Sequence, residues 1–331
     1  MLPGARRPDP ARPGRAQGLH PVVAIEMTRI GVVRNPKSHG NRLHPPGPAP
    51  DGVILVEPFG RDALRTELET FARDGLDLLV IDGGDGTVRD VISLLPHTFG
   101  ENLPMLAVLP SGKTNVLAID LGTPDDWRLE EALIAARRAE PTVKSRPPLR
   151  VTWADGHRPC LQGFFFGVGA PVKATTLAQR VHKVGFFHNL AVAVTIVTAA
   201  LRAVFGGSRD EWREGVPAKI ALDGEAQPEG ERFAVLATAL KRLPFGVMPF
   251  GAPREGLKML DIDAPPRRLL KAFPMVLSGK VVPALEGLGY RRRDPREISL
   301  AGGAPFVLDG EVFEGGELTI GLGPSLRFLV G

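Results

Sequence analysis

The 331-residue sequence contains a single cysteine, Cys160. One cysteine excludes an internal disulfide and any zinc site built from several thiolates, and it fits a reducing compartment. The seven histidines show no metal-ligand spacing beside carboxylates or cysteines. Near the start, the only apolar stretch runs from Val22 to Ile25, too short for a signal-peptide core. The uncharged centre of a helical stretch over 186–205, Leu190 to Leu201, is too short to span a bilayer. It is expected to be a helix buried at a domain junction or a wall for a lipid tail. A strong charge bias is missing too. Net charge is +4, and half of it comes from residues 1–26, where Arg6, Arg7, Arg12 and Arg15 outweigh Asp9 and Glu26. The rest is only mildly basic, which argues against nucleic-acid binding. Arg291-Arg292-Arg293 is a local exception, either a solvated turn or a contact for an anionic membrane surface.

What is present is globular: 43% hydrophobic and 24% charged residues, in a chain long enough for two domains. Residues 1–26, rich in Pro, Arg, Gly and Ala, are expected to be a disordered tail, with Met27 as the natural start. Residues 27–145 then alternate strand and helix patterns. Arg29–Arg34, Val53–Val56, Asp77–Asp82 and Met105–Leu109 are expected strands. Arg61–Arg73 and Val88–Leu95, stopped by Pro96, are expected helices, as is Trp127–Arg138 ahead of a Pro-rich link over Pro141–Pro148. Alternation of this kind implies an α/β domain with a parallel sheet, whose ligands sit outside the carboxyl ends of the strands.

Three loops leave such strand ends. The first is Asn35-Pro36-Lys37-Ser38-His39-Gly40-Asn41, and the second is Gly83-Gly84-Asp85-Gly86-Thr87. The third is Pro110-Ser111-Gly112-Lys113-Thr114-Asn115. A glycine turn between strand and helix lets backbone N–H groups approach phosphate oxygens, and the helix N-terminus adds partial positive charge. Asp85 in such a loop would repel a bare phosphate, so it makes better sense beside a metal ion or ordered water. Ala107–Thr114 ends like a P-loop, but that pattern needs glycine where Ala107 stands, and 106–109 is expected strand.

From residue 149 the texture changes to consecutive strands, including Leu149–Trp153, Cys160–Val168, Phe233–Leu240 and Leu318–Leu322, which imply a C-terminal antiparallel β-sandwich over 149–331. Two Asp-Gly-Glu triplets, at 223–225 and 309–311, each follow an apolar strand. Either could be a plain hairpin turn or supply the carboxylate that a hydroxyl-directed kinase needs. Phe164-Phe165-Phe166 and Phe186-Phe187 are candidate walls for an apolar acceptor.

These motifs resemble the diacylglycerol kinase catalytic-domain family, over nearly all of the chain from Thr28. Gly83 to Thr87 is that family's nucleotide signature; His39, Lys113, Val116 and Arg89-Asp90 depart from its usual residues. The resemblance implies the two-domain fold above and transfer of the ATP γ-phosphate to a lipid hydroxyl. It implies ATP contacts at Asn35, Lys37, Ser38, Gly83, Gly84, Asp85, Gly86 and Thr87, and at Ser111, Gly112, Lys113, Thr114 and Asn115. Asp85 would hold Mg²⁺, Asp309 would act as general base, and Glu311 would support it. Around Pro249–Asp261 the family's metal-linked Asp-Gly is replaced by Arg254-Glu255-Gly256, so no structural metal is expected there. A cytoplasmic protein touching the inner membrane surface is expected, with a homodimer left open and no nucleic-acid partner. An NAD-kinase-like enzyme and a non-catalytic nucleotide-binding regulator are the competing readings.

Overall fold

A computed structural model describes residues 29–43, 47–182 and 213–331. The expected tail, the Met27 start, the 186–205 helix and the Phe186-Phe187 pair lie outside the described residues.

The first sheet is built on β1 (Ile30–Arg34), β2 (Val53–Val56), β3 (Leu78–Gly83) and β4 (Met105–Pro110). They pair in parallel in the order β2-β1-β3-β4. Both faces are covered, so the central strands are apolar throughout rather than alternating. Leu79 and Ile81 pack under α2 (Arg61–Asp74) and α3 (Asp85–Thr98), against Leu68, Phe71, Val91 and Ile92. Leu78 and Val80 pack on the other face against Trp127 and α5 (Leu129–Ala136). Gly75, in the left-handed region at φ 70°, ends α2 as its C-cap.

Two expectations about helices change. α3 begins at Asp85, inside the glycine loop, and runs through Pro96 to Thr98. Proline removes one donor, but burial of Leu94 and Leu95 holds the last turn, and Phe99 N–H still reaches the Leu95 carbonyl at 2.8 Å. α5 spans only Leu129–Ala136; Trp127 is buried ahead of it.

The Pro-rich link contains β5 (Val143–Arg146), and the chain's last strand, β19 (Leu326–Leu329), inserts between β4 and β5. Residues 326–329 therefore belong to the first sheet, although the sequence pattern places all of 149–331 in the β-rich part.

Between them the chain makes two antiparallel sheets. One joins β6 (Leu149–Trp153), β7 (Leu161–Gly163), β10 (Lys219–Leu222), β11 (Glu225–Ala226), β15 (Ile298–Ala301) and β18 (Leu318–Leu322). The other joins β8 (Phe165–Gly169), β12 (Glu231–Thr238), β13 (Lys258–Asp263), β14 (Tyr290–Arg293), β16 (Phe306–Leu308) and β17 (Glu311–Phe313), with β9 (Val216–Pro217) beside β12. Alternate side chains of both sheets, Val151, Ile220 and Ile320 against Phe166, Val235 and Phe306, form one core, as a sandwich requires. The single strand expected over Cys160–Val168 is broken at Phe164, where the chain passes from one sheet to the other. α6 (Ala170–His182) follows β8, and α7 (Leu269–Leu277) and α8 (Pro283–Gly287) flank β13 and β14. No helix among the described residues is long and apolar enough to cross a membrane.

Candidate active site

The three loops leave neighbouring strands β1, β3 and β4 and lock together. Gly40 N–H donates to the Ser111 carbonyl at 2.9 Å, and Asn35 N–H to the Asp82 carbonyl at 2.9 Å. The Asn35 side-chain amide donates to Thr87 Oγ1 at 2.9 Å, and Ser111 Oγ donates to the Asp82 carboxylate. Asn115 sits in the left-handed region, accepts the Gly112 N–H at 2.9 Å and donates to the Pro110 and Gly112 carbonyls. Gly84 and Gly112 meet backbone to backbone: a Cβ on Gly112 would stand 2.5 Å from Gly84 Cα. A Cβ on Gly83 would stand 2.6 Å from Thr87. These three glycines are demanded by the loops themselves. Gly86 is different. A Cβ there would meet only Arg89 Nη2, at 4.0 Å, so the fold makes no use of its missing side chain.

Asp85 is the first residue of α3. Its carboxylate accepts the Val116 N–H at 2.7 Å, at the start of α4 (Val116–Leu121), with Leu117 and Asn115 N–H groups also contributing. Burial outweighs these bonds and pushes the carboxyl up to about 6.

Asp309 comes from the turn between β16 and β17, in the left-handed region at φ 47°. Its carboxylate accepts the N–H groups of Phe164 (3.0 Å) and Phe165 (2.9 Å), the two residues where the chain changes sheets. Burial and then the nearby Asp85 charge push its carboxyl up to about 7. Asp223 has the same left-handed Asp-Gly geometry and accepts the Arg296 and Glu297 N–H groups at 2.8 Å, but it is exposed and away from the loops. The two triplets are thus alike as turns and differ in what surrounds them.

Glu311 bonds the Arg89 guanidinium. Arg89 is 3% exposed on α3, bonds Asp90 at 2.8 Å, lies 5.2 Å from the Phe313 ring, and reaches the Leu308 carbonyl at 3.4 Å. One helical turn along, Ser93 Oγ accepts the Gln162 N–H at 2.9 Å and donates to its carbonyl at 3.2 Å. α3 therefore carries Asp85 at its tip and grips the second part of the chain along its side. Arg89, Ser93 and Asp82 are missed by sequence reasoning; the only signal was Arg89's departure from the family residue.

The remaining expected residues divide. Lys37 Nζ lies 4.2 Å over the Phe59 ring, Ser38 is buried just ahead of α1 (His39–Leu43), and Lys113 and Thr114 are half-buried in the third loop. The triple phenylalanine is not one wall. Phe164 is buried in the first core beside Phe328, Phe166 stacks on Phe306 inside the sandwich, and only Phe165, edge-on to Phe250, is half-buried. Arg291 pairs with Asp261 and Asp263, Arg292 bonds the Pro249, Val276 and Lys280 carbonyls, and Arg293 pairs with Glu286. That basic triplet is used within the fold. Near Arg254-Glu255-Gly256, the buried Lys258 ammonium donates to the Ala239, Arg254 and Gly256 carbonyls, and burial pushes it down to about 8.

Residues 51–144 match the diacylglycerol kinase catalytic domain. A probable lipid kinase YegS-like protein of Cronobacter sakazakii is 36% identical over 80 residues, 24% of this chain and 26% of that protein. Lipid kinase YegS of Escherichia coli K12 is 33% identical over 66 residues, 20% of this chain and 21% of that protein. The chain thus spans about a quarter of the length of the curated relatives it matches. The crystal structure of a putative diacylglycerol kinase from Bacillus anthracis Sterne superposes with a TM-score of 0.65 at 18% identity, covering 92% of this chain and 97% of that one. A second structure of a putative diacylglycerol kinase from that organism gives 0.62 at 20% identity, with the same coverage. At such identity the likeness is one of fold. Residues 51–144 are thus similar in sequence to the diacylglycerol kinase catalytic domain, and nearly the whole chain shares the fold of the Bacillus anthracis proteins.

Proposed function

We propose that the protein transfers the γ-phosphate of ATP to a lipid hydroxyl. The observation that carries this reading is Asp309: a carboxylate pinned by two backbone N–H groups, pushed up to about 7, and close enough to feel the charge of Asp85 in the glycine loop. A general base works best when its pKa lies near the working pH. The phosphates would rest on the N–H groups of the 84–87 turn, at the N-terminus of α3, and on the Ser111-Gly112 turn. The unused space over Gly86 supports this, since close approach of a phosphate explains a glycine that the packing does not need.

In the proposed reaction the acceptor hydroxyl gives its proton to Asp309 as its oxygen bonds the γ-phosphorus, and the bond to ADP breaks. Phe164 and Phe165 N–H groups hold the carboxylate in place, and Arg89 fixes the turn that carries it through Leu308 and Glu311. Two carboxylates raised by burial, Asp309 also by the charge of Asp85, fit a divalent cation beside them. Among the described residues no three acidic, His or Cys side chains cluster. Mg²⁺ at Asp85 would therefore complete its shell with phosphate oxygens and water, which is its habit. When bound, it would neutralise charge developing on the phosphates.

The test is transfer of labelled γ-phosphate to a total lipid extract, with wild type, Asp85→Asn and Asp309→Asn in parallel. A labelled lipid made only by wild type supports the reading, and its chromatographic mobility names the acceptor. Bound ATP with no labelled lipid would favour the regulator, and labelling of NAD a soluble acceptor.

A further inference from the structure

Of the large apolar side chains exposed among the described residues, Phe245 (61%), Met248, Leu270 (53%) and Val281 (90%) fall in two segments that touch. Met248 N–H donates to the Leu277 carbonyl at 2.8 Å, and Gly279 packs on Met248. Arg292 ties Pro249 in the first segment to Val276 and Lys280 in the second. Lys258 closes both ends of the first segment by bonding the Ala239, Arg254 and Gly256 carbonyls. The surface is thus a built one.

Its charge is of one sign. Residues 239–254 and 264–285 contain no Asp or Glu. Lys241 pairs with Glu255 and Arg254 with Asp294, while Arg267 faces Asp263. Arg242, Arg268, Lys271 and Lys280 are exposed and make no ion pair among the described residues. On α7, Leu269, Ala272 and Val276 point into the core, and Leu270, Lys271 and Pro274 face outward. Phe245 is held outward in the left-handed region at φ 61°, where a bulky residue is strained.

We propose that this face, residues 241–248 with α7 and its flanks 267–281, docks on an anionic lipid bilayer. Large apolar side chains interleaved with unpaired cations suit a headgroup layer over acyl chains. A second copy fits poorly, because a two-fold contact would press like-charged faces together. The surface also leads to the proposed base. The first segment leaves β12 beyond Thr238, which pairs with Phe165, and Thr238 Oγ1 bonds the Phe164 carbonyl at 2.7 Å. Those are the residues that hold Asp309, and Phe250 in the same segment packs edge-on to Phe165. A bilayer on this face would present its hydroxyls beside the site; the inference rests on the lipid-acceptor reading for its purpose, though the binding itself does not.

Co-sedimentation of the full chain with vesicles of phosphatidylglycerol in phosphatidylcholine, without ATP, tests it. Wild type should pellet with these vesicles, weakly with phosphatidylcholine alone, and less as salt rises. Phe245→Gly, which relieves the strained backbone, and the pair Arg268→Glu and Lys271→Glu should each weaken binding roughly tenfold or more. Circular dichroism and melting temperature would show that they fold. Folded variants that pellet like wild type would overturn the proposal, as would a wild-type dimer that these changes dissolve. Phosphorylation of detergent-dispersed lipid alongside unchanged vesicle binding would sink the surface and leave the kinase standing. Vesicle binding through this face with no phosphoryl transfer would do the reverse.

Discussion

Arg89 of α3 is ion-paired with Glu311, two residues beyond Asp309, so a buried guanidinium of the first domain holds the turn that carries the proposed base. The two partners are unequal. Arg89 is buried and also bonds Asp90 and the Leu308 carbonyl, whereas the Glu311 side chain is 55% exposed. Removing the buried partner strands several polar groups; removing the exposed one strands little. Arg89→Met should cost about 2–4 kcal/mol of stability by urea denaturation, and Glu311→Gln under about 1 kcal/mol. Arg89 also lowers the Asp309 pKa, so the methionine variant's activity should begin at higher pH than that of wild type.

Gly86→Ala should separate ligand binding from folding. A methyl group there meets nothing in the protein nearer than 4.0 Å, and helical alanine is favoured over glycine by about 0.5–1 kcal/mol. The variant should melt at or above the wild-type temperature while calorimetry shows ATP affinity reduced, by about tenfold or more if a phosphate occupies that space.

Gly112→Ala should do the opposite. Its methyl group would lie 2.5 Å from Gly84 Cα and 2.7 Å from Asn115 Oδ1, where backbone gives way poorly. A loss of about 1–3 kcal/mol, as for other overpacked sites, should appear in thermal unfolding without any ligand.

Asp309→Asn should stabilise the metal-free protein at high pH. Asp309 is pushed from an ordinary 3.8 up to about 7 in the fold, so the folded state binds its proton more tightly than the unfolded chain. Its contribution to stability is then fully present below about 4 and is lost as pH rises through about 7. Asp85, raised to about 6, adds to the same trend. The asparagine variant keeps an oxygen for the Phe164 and Phe165 N–H groups and carries no charge. It should exceed wild type by about 1 kcal/mol or more at pH 8, with the gap closing at pH 4, and should transfer no phosphate.

The parallel sheet was legible because a strand buried on both faces has to be apolar throughout, as Leu78–Ile81 is. The loop convergence was legible because glycine, proline and asparagine mark strand ends. The break at Phe164 was not: Gln162 is the one polar residue from Leu161 through Val168, and apolarity does not say which sheet a residue pairs with. The two N–H groups freed at that break are the ones that hold Asp309. Arg89 was hidden for a related reason, since a cation one turn into a helix ordinarily faces water and only the distant turn at 308–311 buries it. β19 was missed because its partners among the described residues, β4 and β5, lie about 220 and 180 residues away.

That last strand sets an order on synthesis. β5 pairs with β19 and has no other neighbour among the described residues, so residues 143–146 leave the ribosome with no edge to join until 326–329 follow them. Until then β4 offers an open parallel edge to whatever nascent chain lies close. The first sheet is therefore begun before the sandwich and completed after it, and cutting the chain near residue 149 would release an incomplete sheet rather than a free-standing domain.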